Sequence, residues 1–171
     1  MTTALRRCAS DDELAKVSLF ALENKRDLHL AFGTLDMVSV LCTYMTEGHL
    51  LYIADADNQV IAMLGYYQGT PENEFEDKEI AYVDAAILDA AYRGTRIFLK
   101  GLRSMVEQIV EAHPETQEIR FAALSENTYL CRLYSKFSEP SYTRDGSAGK
   151  ETVFCVKIHQ LRATLNGYSK L

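Results

Sequence analysis

A chain of 171 residues, 47% hydrophobic and 25% charged, is long enough to bury a core and has the composition of an ordinary globular domain. Its formal net charge of −6 opposes broad binding to nucleic acid or to an anionic membrane surface. No apolar run reaches the ~18–20 residues that a membrane-spanning helix requires, and the first residues lack the apolar stretch of a secretory signal.

Cys8, Cys42, Cys131 and Cys155 are scattered without Cys-x-x-Cys spacing, and His29, His49, His113 and His159 are equally dispersed. This predicts reduced thiols in a cytoplasmic protein, with no disulfide frame and no metal site. Thr3 to Cys8 reads as an opening strand. Ser10 before Asp11, Asp12 and Glu13 is an N-cap with an acidic first turn, and Leu14, Val17, Ser18 and Ala21 continue at helical spacing to about Asn24. A second helix follows Gly33, capped by Thr34 and ended by Gly48, with Leu35, Val38, Leu41, Cys42 and Met45 as its expected buried side.

His49 to Ala54 and Val60 to Tyr67 are β-rich runs around Asp55-Ala56-Asp57-Asn58, a hairpin signature. Gly69 to Lys78 is a polar, acidic loop. Ile80 to Leu88 is small and apolar on both faces, as in a strand from the middle of a sheet. After Arg93-Gly94 a helix is expected from about Thr95 to His113. Phe98, Leu102, Met105 and Ile109 mark its apolar face, and Arg96, Lys100, Arg103 and Glu107 mark the other. His113-Pro114 stops it. Ile119 to Leu124 reads as a strand, Ser125 to Phe137 as a helix, and Thr152 to Ile158 as a final strand; Gln160 to Leu171 has helix-forming character.

The succession from Ile80 to Pro140 is strand, Arg-Gly turn, amphipathic helix, strand, and a helix opened by Asn127 and carrying Tyr134. It resembles the core of the GCN5-related N-acetyltransferase (GNAT) superfamily, whose members bind acyl-coenzyme A. The resemblance covers nearly the whole chain in element order and about residues 80–137 in detail. It implies an α+β fold, β-α-α-β-β-β-α-β-α-β, with a mixed, mainly antiparallel central sheet flanked by helices. Residues 1–171 would form one acyltransferase domain.

Arg93-Gly94-Thr95-Arg96-Ile97-Phe98 stands where the family has its pyrophosphate loop. A strand-to-helix turn aims backbone N–H groups and the positive end of the helix dipole at an anion. Arg93 matches the family pattern and Gly94 fits its Arg-Gly version, whereas the two pattern glycines fall on Arg96 and Phe98. Between Asp89 and Glu107 there is no carboxylate, but there are Arg93, Arg96, Lys100 and Arg103. These cations suit the phosphates of coenzyme A; the alternative is that Lys100 and Arg103 only solvate the helix. By the same resemblance, Leu88 and Ala90 pair with the pantetheine arm through their backbone.

Asn127 and Tyr134 lie about two helical turns apart on one face. The resemblance assigns Asn127 to cofactor contact and Tyr134 to protonating the departing thiolate. A phenol with a pKa of about 10 stays protonated at neutral pH and suits that role. The plainer readings are a helix cap and a core aromatic. Where the family usually has Gly-Phe after this helix, the chain has Ser138-Glu139. Asp84, a carboxylate within an apolar strand, is the candidate general base, its pKa expected to be raised by burial; a structural hydrogen-bonding role is the alternative. The run Glu72, Glu74, Glu76, Asp77 and Glu79 would attract a cationic amine or simply solvate a loop.

The expected function is acyl-coenzyme A-dependent N-acyl transfer. In its simplest form acetyl passes from acetyl-coenzyme A, as co-substrate, to a primary amine on a small molecule or protein, with no metal. No nucleic acid or membrane partner is expected, and a homodimer is left open. Two alternatives stand beside it. One is a catalytically degenerate domain of the same fold that senses coenzyme A or binds protein. The other is an acyltransferase using a longer-chain or carrier-protein thioester.

Overall fold

The structure is a computed structural model that describes residues 4–146 and 148–168. Seven strands form one sheet in the order β1-β2-β3-β4-β5-β7-β6, as β1 (Leu5–Arg7), β2 (His49–Ala54), β3 (Val60–Gln68), β4 (Ile80–Leu88), β5 (Glu118–Leu124), β6 (Glu139–Gly146) and β7 (Gly149–Lys157). Among the described residues five α-helices accompany them: α1 (Asp11–Glu23), α2 (Thr34–Glu47), α3 (Ile97–Ala112), α4 (Thr128–Tyr134) and α5 (Ile158–Tyr168). The chain divides into two compact units, one comprising residues up to Tyr66 plus Ala85–Ser104, the other Tyr67–Asp84 plus residues from Met105 onward.

In the first unit β1, β2 and β3 pair antiparallel, with Leu5 opposite Ile53 and His49 opposite Tyr66. The hairpin forms as its sequence requires. Asp55 Oδ1 accepts from the Asp57 and Gln59 amides, each at 2.9 Å, and Asn58 takes the left-handed conformation with φ 61°. Ser10 caps α1, accepting from the Glu13 amide at 3.2 Å. On α2 the buried residues are Met37, Leu41 and Tyr44. This corrects the expected face: of the residues assigned to it, only Leu41 is buried, while Leu35, Val38, Cys42 and Met45 are exposed. The helix carries two apolar stripes, and only packing selects which one faces its own sheet. Tyr44 makes the selection visible. Its ring lies so close to Gly65 that a Cβ there would stand 2.4 Å from the Tyr44 Cζ, so a strand glycine admits the aromatic ring.

In the second unit β4 and β5 run parallel from Ile80↔Glu118 to Val83↔Phe121, a pairing that needs a long crossover, which α3 supplies. β5 pairs antiparallel with β7 along its whole length, Glu118↔Lys157 to Leu124↔Glu151, and β6 pairs antiparallel with β7. Strand β6 is absent from the sequence-based element order. Its residues are almost all exposed, so an edge strand with no apolar face leaves no alternation to read. The helical character of the tail is realised as α5, tied to α3 by Arg162, which donates to both Glu107 carboxylate oxygens at 2.8 and 2.7 Å. Met105, Ile109, Ile119, Phe121 and Leu161 are fully buried in this unit.

Candidate active site

In the first unit the chain leaves β4 through a built turn. Asp89 accepts from the Ala91 amide at 2.9 Å, capping a 3₁₀ turn over Ala90–Tyr92, and its own amide donates to the Ile61 carbonyl at 2.9 Å. Ala90 is therefore exposed at the start of a turn and is not part of the strand. Gly94 has φ 80°, a conformation that costs an L-residue about 1–2 kcal/mol. Nothing lies within 4 Å of where its Cβ would stand, so the demand is for backbone conformation and not for space. Thr95 Oγ1 donates to the Tyr92 carbonyl at 2.5 Å and accepts from the Ile97 amide at 3.3 Å. Thr95 thus acts as cap, and α3 begins at Ile97.

Arg93 lies in this turn with its guanidinium engaged. It pairs with Asp27 at 3.0 Å, and its Nε donates to the Leu88 carbonyl at 3.3 Å. The Leu88 carbonyl, expected to face a ligand's amides, thus accepts from a side chain. Asp27 gave no signal in the sequence, because its partner is distant along the chain. Phe98, on a pattern-glycine position, is 8% exposed, so its ring is spent on the core and leaves only its backbone for binding. Arg96, just before α3, and Lys100 and Arg103 on it are exposed.

In the second unit the parallel ladder ends at Val83↔Phe121, although β4 continues to Leu88 and β5 to Leu124. Asp84 is the residue just past that end. It is exposed, while Val83 and Ala85 beside it are 0% and 1% exposed. Burial, the expected cause of a raised Asp84 pKa, is therefore absent. Water reaches a carboxylate in the middle of an otherwise buried strand.

Tyr134 has the opposite setting. Its ring stacks on Phe121 at 4.8 Å between centroids, with Phe154 and Phe137 edge-on at 5.9 and 6.2 Å. Its hydroxyl is buried and has no hydrogen-bond partner among the described residues. Burial first, then the charge of Asp84 and then Cys131 and Tyr129, hold its pKa well above the ordinary tyrosine range. Asn127 Oδ1 accepts from the Leu130 amide at 3.1 Å, so this side chain caps α4. Sequence reasoning also missed Arg144 on β6. It bonds the Tyr82 hydroxyl, pairs with Glu72 and with Glu151 (2.8 Å to the latter), and lies 5.2 Å over the Tyr82 ring. The acidic loop is ordered by Asp77, which accepts from the Thr70 amide and hydroxyl and from Asn73. Burial pushes the Asp77 carboxyl up, but these bonds outweigh it and hold the group below its usual range.

No family model and no curated protein matches the chain in sequence. Solved structures do match in fold. Aminoglycoside acetyltransferase AAC(6')-Ib in complex with coenzyme A is 18% identical, covers 94% of this chain and 98% of its own, and has a TM-score of 0.71. The ribosomal alpha-N-protein acetyltransferase RimL, in complex with coenzyme A, is 12% identical with a TM-score of 0.64, covering 93% of this chain and 97% of its own. The ribosomal-protein-S5-alanine acetyltransferase from Vibrio fischeri is 11% identical with a TM-score of 0.63, covering 90% and 91%. This chain has the GNAT fold. The mixed, mainly antiparallel sheet flanked by helices expected from the sequence is the one observed. Among the described residues no helix is long and apolar enough to cross a membrane, and no group of three or more His, Cys, Asp or Glu could hold a metal ion.

Proposed function

We propose that this chain is an acyl-coenzyme A-dependent N-acyltransferase, in its simplest form an N-acetyltransferase acting on a primary amine, with residues 1–171 as one acyltransferase domain. The observation that carries the reading is the Tyr134 hydroxyl, which is buried, protonated and without a hydrogen-bond partner among the described residues. Leaving such a group unsatisfied costs about 1–3 kcal/mol, so the fold holds a hydrogen-bond donor ready at a cost in stability. Acetyl-coenzyme A, when bound, supplies an activated thioester; a phenol donor and a cationic glycine turn are the groups its sulfur and its phosphates need.

On this reading Gly94 and Phe98 present backbone N–H groups to phosphate, Thr95 and Ile97 shape the turn through amides that donate within it, and Arg96 adds a charge-assisted hydrogen bond. Arg93 orders the turn through Asp27 and the Leu88 carbonyl, which makes it a positioning residue. Leu88 and Ala90 offer backbone to the pantetheine arm, and Asn127 fixes the start of the helix that carries Tyr134. Tyr134 keeps its proton at Oη and stabilises negative charge on sulfur by donating a hydrogen bond. Its raised pKa makes complete transfer of that proton uphill. Asp84 takes the amine proton through solvent. The acceptor is an amine on a small molecule or a protein. Solved neighbours of the same fold include one holding kanamycin and one named for a ribosomal protein. The free thiols of Cys8, Cys42, Cys131 and Cys155 suit a cytoplasmic setting.

A binding-coupled melting measurement with acetyl-coenzyme A, followed by thiol release over a panel of amines, tests the reading. The expected result is a higher melting temperature with acetyl-coenzyme A and amine-dependent thiol release. A melting temperature that no acyl thioester moves, in a well-folded protein, would overturn it. The engagement of Arg93 by Asp27 favours a second reading, the same fold without turnover. Binding without thiol release on any amine selects that alternative, and response only to long or carrier-bound acyl groups selects the longer-donor enzyme.

A further inference from the structure

Helix α2 carries more apolar surface than its own fold uses. Met37, Leu41 and Tyr44 are buried at 0%, 3% and 1% exposure, which completes one apolar stripe. Leu35, Val38, Cys42 and Met45 form a second, roughly a third of a turn round the helix. Leu35, Val38 and Met45 are 81%, 39% and 47% exposed, and Cys42 is exposed as well. Leu30, in the segment leading into the helix, adds a further apolar side chain at 79% exposure.

The spacing of the second stripe is three, four, three, the a/d seam of two heptads, which accepts another helix by knobs-into-holes packing. From Met37 to Thr46 the helix has no charged residue, in a protein of net charge −6. Asp36, at one end, is turned back to accept from the Gly33 amide at 2.7 Å. A basic helix or an anionic membrane would find no complementary charge here, whereas a neutral seam is its own complement.

We infer that the α2 seam is a two-fold, self-complementary interface with a second copy of this chain. The contact is isologous, each Leu35–Met45 stripe lying on its symmetry mate. A seam of four side chains per copy makes a weak dimer in exchange with monomer. Two copies repel through their net charge, so added salt tightens the dimer. Cys42 lies about 6 Å along the axis from its mate in an antiparallel pair centred on Val40, and level with it in a parallel one.

Sedimentation equilibrium over a concentration series, in low and high salt, tests this. The expected result is a concentration-dependent dimer, stronger in high salt, and weakened at least about tenfold by Val38→Glu. Leu35→Ser, at a position 81% exposed, serves as the second variant should Val38→Glu disturb folding. A short bis-maleimide crosslinks the dimer through Cys42, and Cys42→Ser abolishes the crosslink. A protein that stays monomeric at its solubility limit, a dimer indifferent to both substitutions, or flotation with anionic vesicles that Leu35→Ser removes would each overturn the assignment.

Discussion

The Arg93–Phe98 turn and the surroundings of Tyr134 prepare polar groups in opposite ways. The turn keeps Arg96 in solvent, engages Arg93 with a carboxylate and a carbonyl, and needs only the left-handed Gly94 to hold its shape. Its electrostatics are strong in number and weak in strength, because water and salt screen exposed charges. Tyr134 is a single neutral donor, enclosed by Phe121, Phe137 and Phe154, and its hydroxyl has no partner among the described residues. On the proposed function one buried hydroxyl matters more to the chemistry than several exposed cations, at a cost in stability that the cations do not carry.

The largest expected effect breaks that contrast at its buried end. Tyr134→Phe should lower turnover about a hundredfold or more, with little change in cofactor affinity. The unliganded protein should be as stable as the parent, or more stable, in denaturant titration, since an unsatisfied hydroxyl has been removed. Full activity in the variant would reduce Tyr134 to a core aromatic.

At the turn, Gly94→Ala should cost about 1–2 kcal/mol from the backbone alone and weaken coenzyme A binding by about tenfold. Calorimetric titration beside a melting curve separates the two losses. Unchanged binding with lowered stability would mean that the turn has no part in phosphate recognition.

The raised pKa of Tyr134 gives a prediction of comparable size in alkali. Its folded value lies above the unfolded value of about 10, so the stability it contributes is fully present below pH 10 and is lost as the pH rises toward the folded pKa. Between pH 10 and 11 the parent should lose about 1 kcal/mol more than Tyr134→Phe does. Equal slopes would show that the phenol titrates normally.

Smaller still is the effect of the exposed cation. Arg96→Gly restores a family glycine yet should weaken coenzyme A binding by about twofold to fivefold at low salt, with the gap closing at high salt. Tighter binding by the variant would show that Arg96 obstructs the turn.

Much of the fold was legible because local signals and long-range packing agreed. Ser10, the Asp55–Asn58 turn and the apolar face of α3 each specify their element within a few residues of chain. The same agreement failed on α2. Two apolar stripes are written there with equal clarity, and the one opposite Gly65 is buried because a glycine leaves room for Tyr44. It failed on β6 too, where pairing with β7 makes a strand of residues with no apolar face.

The sequence by itself determined which chemistry-bearing residues stand at which element ends: Arg93 and Gly94 after β4, Asn127 and Tyr134 on α4, Asp84 within β4. Those positions follow from periodicity and capping, which act over a turn or two of chain. What those residues experience was decided only in three dimensions. Asp84 is wet because the parallel ladder ends beside it, Tyr134 is dry because aromatic rings from β5, β7 and the turn after α4 close around it, and Arg93 is engaged because Asp27 meets it. Solvation and pairing depend on neighbours remote in sequence, and a pattern that repeats every few residues carries no record of them.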